Sequence, residues 1–205
     1  QARLQTPNSI VLAQRDIDKE FKSVFITNKK HSLKRTTNIN DLKLLTKYRF
    51  TFGSENSTSG RLMPQYFLNI AGVELTDFNG QTVGFSGSHD ATIALVNSGA
   101  YDVGVLNKQV WDRNMKKNPT RVKNATVFFI TPTYVDYHWL AQGNLDQKFR
   151  KGFTKELREV FLNLNPKIKD QKLILEMFSA KKFIKANYKD YKEIEFIARK
   201  LKKIR

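Results

Sequence analysis

The sequence predicts an α/β fold, and three observations carry that expectation. Short apolar runs of strand length alternate with helically spaced apolar residues from residue 9 to residue 131. The junctions between them are rich in Gly, Ser, Thr and Asn, residues that turn a chain and cap helices. With 205 residues, 40% hydrophobic and 12% aromatic, the chain is long and apolar enough to bury a core. No apolar stretch approaches the roughly 18 residues of a membrane-spanning helix. Cysteine is absent, which excludes disulfides and thiolate metal sites and leaves the compartment open.

Residues 9–13 and 23–27 read as short strands separated by a charged segment, 14–22. Residues 38–47 read as a helix that Thr37 or Asn38 can cap, with Ile39, Leu42, Leu44 and Leu45 as its apolar residues. A strand at 48–52 leads into a helix over 58–71, closed by Gly72. The next strand is 83–86, followed by a helix from His89 or Asp90 through Val96 that ends at Gly99. A strand at 102–106, a short helix at 108–115 and an apolar strand at 126–131 complete the alternation, which predicts a mainly parallel sheet. A boundary falls near 131–135. The segment 134–140 reads as a strand, and from Leu145 onward the chain reads as almost wholly helical.

The net charge of +17 and pI near 10.0 invite a nucleic-acid reading. Its distribution weakens that reading. Residues 146–205 hold 18 Lys and Arg against 8 Asp and Glu, so more than half of the excess lies in the helical tail. There Phe149, Phe153, Leu157, Val160, Phe161 and Leu164 follow helical spacing, and the lysines between them fall on the solvated face. No zinc-finger spacing or aromatic RNA-binding signature is present, so nucleic-acid binding stands as the alternative function and not the first.

The chemistry concentrates at two strand-to-helix junctions. Phe52-Gly53-Ser54-Glu55-Asn56-Ser57-Thr58-Ser59-Gly60 puts three consecutive hydroxyls where a helix begins, and Gly87-Ser88-His89-Asp90 follows the strand ending at Ser86. A helix N-terminus offers unsatisfied N–H groups and the positive end of the macrodipole, so a tetrahedral anion can be held there without an Arg or Lys. If both strands belong to one parallel sheet, both junctions face its carboxyl edge, where α/β sheets bind ligands. Each residue also has an ordinary reading. Any one of Ser57, Thr58 and Ser59 serves as a helix cap, although three in a row followed by Gly exceed what a cap needs. Asp90 reads as a cap, His89 as a packed or surface histidine, and Asp136, among Tyr134, Tyr137, His138 and Trp139, as a structural carboxylate. Ser57, His89 and Asp136 also match the residue types of a hydrolase triad. However, Asn-Ser-Thr-Ser-Gly is no G-x-S-x-G nucleophile elbow, and the chain is not expected to be an enzyme.

These segments resemble the periplasmic phosphate-, phosphite- and phosphonate-binding proteins of ABC transporters. The resemblance lies in Phe52 through Pro64, in Phe85-Ser86-Gly87-Ser88-His89-Asp90, in Leu12-Ala13-Gln14-Arg15-Asp16, and in Thr131-Pro132-Thr133-Tyr134-Val135-Asp136-Tyr137. It implies a two-lobe, type II periplasmic-binding-protein-like fold with one complete α/β lobe, a partial second lobe and a helical C-terminus. Residues 1–19 would be a hinge strand and the remnant of the first lobe, 20–132 the complete lobe carrying the oxyanion loops, and 133–205 the return hinge strand and helical part of the first lobe. Relative to the family pattern, the export signal and most of the first lobe would precede Gln1. By the resemblance, Ser57, Thr58, Ser59 and His89 donate to a phosphorus oxyanion, and Asp136 accepts from a protonated ligand oxygen. That last role selects against fully ionised anions such as sulfate. The family aromatic near the first hinge is not assigned to Phe21, which lacks a hydroxyl. The resemblance further implies a monomer, periplasmic or lipid-anchored, that uses no cofactor and no metal, binds no nucleic acid, and docks on a membrane permease.

Overall fold

The structure, a computed structural model, describes residues 6, 8–78 and 82–204. In chain order its strands are β1 (Ile10–Arg15), β2 (Ser23–Asn28), β3 (Phe50–Phe52), β4 (Gly84–Phe85), β5 (Val103–Asn107), β6 (Ala125–Ile130), β7 (Trp139–Ala141) and β8 (Phe183–Ile184). The α-helices are α1 (Met63–Ile70), α2 (His89–Ser98), α3 (Lys108–Lys117), α4 (Leu145–Lys148), α5 (Phe153–Leu162), α6 (Lys169–Met177) and α7 (Lys192–Lys200). The chain divides into two compact units, Lys22–Thr133 and the discontinuous Gln1–Phe21 with Tyr134–Arg205.

The Lys22–Thr133 unit is built on a five-stranded sheet of order β4-β3-β5-β2-β6. Strand β3 pairs parallel with both β4 and β5, whereas β2 pairs antiparallel with β5 and β6. Four strands therefore run one way and β2 runs against them, so the expected mainly parallel sheet becomes a mixed one. Every residue of β2 is buried, because the strand has layers on both faces. Its alternation sends Val24 and Ile26 into an apolar cluster with Ile93 and Val96 of α2, Leu106 of β5 and Trp111 of α3. Phe25 faces the other way, into a chain of ring contacts with Phe50 at 6.2 Å and Phe129 at 6.1 Å.

Local signals place the helices of this unit. Asn38 caps the 39–47 segment through its side chain, but that segment (Ile39–Lys47) is a 3-10 helix rather than an α-helix. Gly99 ends α2 in the left-handed conformation, at φ 79°, which a side chain rarely adopts. The strand expected at 83–86 is only two residues long.

In the other unit β1 is the middle of a three-stranded sheet, β7-β1-β8, with both neighbours antiparallel. The strand expected over 134–140 is discontinuous: Tyr134 forms an isolated antiparallel bridge with Phe21, and β7 starts only at Trp139. The tail is not wholly helical either. Strand β8 lies between two lysines and Lys185, and two residues carry no periodicity that a sequence pattern could report. The helical face expected from Phe149 to Leu164 is interrupted, since Gly152 adopts φ 85° before α5 begins. Leu157, Phe161 and Leu164 pack on the core of this unit, while Phe149 and Val160 are exposed. Among the described residues no helix is long and apolar enough to cross a membrane.

Candidate anion-binding site

Because β3, β4 and β5 are parallel neighbours, their carboxyl ends Phe52, Phe85 and Asn107 share one edge of the sheet. A helix starts shortly after each. The turn 58–62 that precedes α1 is a π-helix in which Leu62 N–H donates to the Ser57 carbonyl and Met63 N–H to that of Thr58. Such wide turns recur at functional sites, because they reposition one residue without ending the helix. Two further bonds hold the junctions together: Gly53 N–H donates to the Gly60 carbonyl at 2.8 Å, and Ser86 N–H to the Phe52 carbonyl at 3.0 Å.

Ser57 caps the turn, its Oγ accepting the Gly60 N–H at 2.9 Å. The cap and ligand readings of this residue are compatible, because a hydroxyl that accepts through a lone pair still has its proton to donate. Thr58 is half-buried. Ser59 is fully buried; its carbonyl accepts from Ser23 Oγ at 2.7 Å, and its own Oγ has no partner among the described residues. A buried hydroxyl without a partner is uncommon and costs stability, so a ligand oxygen would satisfy a donor the fold leaves idle.

His89 opens α2, but Ser88 is the cap, accepting Ala91 N–H at 3.1 Å. Asp90 is therefore no cap. Its carboxylate accepts from Asn114 Nδ2 at 3.2 Å and lies 3.9 Å from Arg113 and 3.8 Å from Arg121, joining α2 to α3. The His89 ring accepts the Asn107 N–H on Nδ1 at 3.4 Å. A nitrogen that accepts carries no proton, so the neutral ring holds its hydrogen on Nε2, the atom left to face a ligand. Burial pushes the imidazole below its usual pKa, with Arg113 adding to the fall and Asp90 opposing it, so the ring is neutral at pH 7. A hydrolase triad needs the reverse arrangement, an Nδ1–H donating to a carboxylate.

Ser57 and His89 meet across Gly60. A Cβ on Gly60 would stand 3.0 Å from Ser57 Oγ and 3.2 Å from His89 Cε1, so only glycine lets both approach. The structure thus brings Ser57, Ser59 and His89 to one sheet edge together with Thr58. Asp136 belongs to the other unit. There it is buried, and its N–H donates to the Asp18 carbonyl at 2.9 Å. Asp18 in turn holds the Arg15 guanidinium, its Oδ2 accepting from Arg15 Nε at 2.9 Å. Phe21 is fully buried against Tyr134 and Tyr137. The residues missed by sequence reasoning are Asn107, which orients His89 through its backbone and so leaves no side-chain signal, and Gly53 and Gly60, whose spacing around the hydroxyls is such a signal. Among the described residues no group of three His, Asp or Glu is placed to hold a metal ion.

Residues 1–191 match the family model described as the periplasmic substrate-binding protein of phosphonate ABC transporters. The chain belongs to this family. It is 68% identical over all 205 residues to a probable ABC transporter phosphite-binding protein, PhnD1, of Prochlorococcus marinus strain MIT 9301, and spans 69% of that relative. A solved structure of PhnD1 from the same organism in complex with methylphosphonate superposes with a TM-score of 0.96 at 67% identity, over 99% of this chain and 75% of that one. The binding component of a Pseudomonas aeruginosa phosphonate ABC transporter shares the fold, with a TM-score of 0.73 at 21% identity over 95% of this chain and 63% of that one. The chain is thus a substrate-binding component of an ABC transporter with the α/β fold of periplasmic binding proteins, in a transport family and not an enzyme family. Nucleic-acid binding finds no support among these relatives.

Proposed function

We propose that the protein captures a phosphorus oxyanion of the methylphosphonate or phosphite class, as a monomer in the periplasm or anchored at the cell surface, and hands it to a membrane permease. The observation that carries this reading is the joined pair of helix starts, where the Ser57 hydroxyl and the neutral His89 ring flank Gly60. The donors are the hydroxyls of Ser57, Thr58 and Ser59, the first N–H groups of the turn they open, and His89 Nε2–H. Hydrogen bonds to a charged acceptor are about twice as strong as neutral ones, and helix-end donors need no reorganisation to make them. Asp136 is assigned the ligand's P–OH proton. A phosphonate or phosphite monoanion has such a proton, whereas sulfate has none and would meet a bare carboxylate.

Replacing Ser57, Thr58 and Ser59 together by Ala tests the reading in a calorimetric titration with methylphosphonate. Affinity is expected to disappear while circular dichroism stays that of the folded protein. Wild-type affinity in the triple variant would remove these residues from the site. No binding of methylphosphonate, phosphite or phosphate by the unmodified protein would overturn the ligand class itself.

A further inference from the structure

The three donors of the hydroxyl segment are neutral, yet the same turn contains a cation. Arg61 stands two residues beyond Ser59 and is 3% exposed. Its guanidinium carbon lies 4.2 Å from the Phe52 ring centroid and 5.2 Å from that of Phe85. These are the last residues of β3 and β4, so the cation is held at the carboxyl edge of the sheet from which both ligand turns emerge. Its Nε and Nη1 are buried without a hydrogen-bond partner, and among the described residues no carboxylate is paired with it. Burial pushes its pKa down to about 10, opposed by Glu55, so the group remains charged at neutral pH.

Buried guanidinium groups are ordinarily matched by a carboxylate and several acceptors, because an unmatched buried charge is among the costliest features a fold can hold. The two phenylalanine faces offset part of this through cation–π attraction. They supply no negative charge.

We propose that the Arg61 guanidinium is the fixed counter-charge of the bound oxyanion, a positioning residue held by Phe52 and Phe85 behind the turn that carries Ser57, Thr58 and Ser59. The ligand completes a pair that the apo protein leaves open, so binding gains Coulomb attraction in addition to the hydrogen bonds of the neutral donors. Stacking on two rings keeps the guanidinium from reaching into the site and displacing the hydroxyls. The proposal rests on the oxyanion reading of the site.

Arg61→Met keeps most of the side-chain length and removes the charge, and Arg61→Lys restores a charge without the flat stacking surface. The measurements are calorimetric affinity for methylphosphonate and the melting temperature without ligand. For charges roughly 10 Å apart through an effective dielectric of about 20, the attraction corresponds to on the order of tenfold in affinity. Arg61→Met is expected to bind about tenfold more weakly while melting no lower than the wild type, since it removes an unmatched charge; Arg61→Lys is expected to regain most of the loss. A purely structural arginine would give the opposite pattern, a lower melting temperature with unchanged affinity, and that result would overturn the proposal. Equal weakening in the Met and Lys variants would also overturn it, because charge would not be the cause. If Arg61→Met fails to fold, Arg61→Gln decides beside Arg61→Lys: a loss of about tenfold in the Gln variant that the Lys variant largely regains supports a charge role, and affinity near wild type in the Gln variant, or an equal loss in both, refutes it. Failure of the ligand reading is separately visible as absence of methylphosphonate binding by the unmodified protein.

Discussion

Gly60→Ala is the most discriminating single change in this protein. No positive φ demands glycine at this position, so the backbone accepts alanine and only space is at issue. The added Cβ would stand 3.0 Å from Ser57 Oγ, 3.2 Å from Gly53 Cα and 3.2 Å from His89 Cε1. Carbon contacts settle near roughly 3.5–4.0 Å, so each neighbour must retreat by several tenths of an ångström. Overpacking of this kind costs about 1–3 kcal/mol. Alanine in a helical turn returns about 0.5–1 kcal/mol relative to glycine, so the net loss of folding stability is about 0–2.5 kcal/mol. Ligand binding suffers more, because two of the three displaced neighbours are assigned donors. Hydrogen bonds to charged groups are worth about 1.5–3 kcal/mol each and weaken over such shifts. Losing the equivalent of one predicts affinity weaker by about 10- to 150-fold. Gly53→Ala provides the internal scale, since its Cβ would be 3.3 Å from Gly60 Cα but 3.7 Å from His89 Nδ1, an ordinary contact with the ring. Its loss should be under about tenfold. The assay is isothermal titration with methylphosphonate beside thermal unfolding of both variants. Unchanged affinity in a folded Gly60→Ala protein, or a larger loss for Gly53→Ala, would refute the reasoning.

Further outcomes are expected at three positions. His89→Phe removes the Nε2–H donor and should weaken methylphosphonate binding by about 10- to 100-fold. The burial-lowered pKa of His89 means that the unfolded chain binds more protons just below pH 6.5, so stability should rise with pH through that window, and the rise should be smaller in His89→Phe as read by melting temperature at stepped pH. At the opposite end of β5, Asp102 accepts from Arg49 Nε at 3.0 Å and His31 Nε2 at 2.8 Å and pairs with Lys30 at 2.9 Å. Arg49, Lys30 and His31 together overcome burial and hold its carboxyl well below the usual range, so its stabilisation is present above about pH 4 and lost on acidification. Asp102→Asn should cost about 1–3 kcal/mol at pH 7 and flatten the acid limb of the stability curve; an unaltered limb in denaturant titrations would contradict this. Asp136→Asn should narrow the preference for methylphosphonate over sulfate, and a ratio of the two affinities equal to wild type would remove Asp136 from selectivity.

Much of the site was legible as local chemistry. The capping residue Ser57, the terminating Gly99 and the hydroxyl run all act on backbone groups within a few residues, so their meaning is contained in short segments. Asp90 was misread for the opposite reason. Its partners Asn114, Arg113 and Arg121 come from a distant part of the chain, and nothing in the Ser-His-Asp segment announces them. The exposed Phe149 shows the same limit, since helical spacing assumes a helix that Gly152 interrupts.

The sequence by itself determined the alternation of elements, the two strand-to-helix junctions and the family, because apolar periodicity, caps and motifs are properties of neighbouring residues. The tertiary structure decided the direction of β2, the pairing of β3 with both β4 and β5, the proton position on His89 and the burial of Arg61 between Phe52 and Phe85. Those depend on which distant backbone or ring comes within hydrogen-bond or van der Waals reach. That is set by packing of the whole unit, and not by any segment read alone.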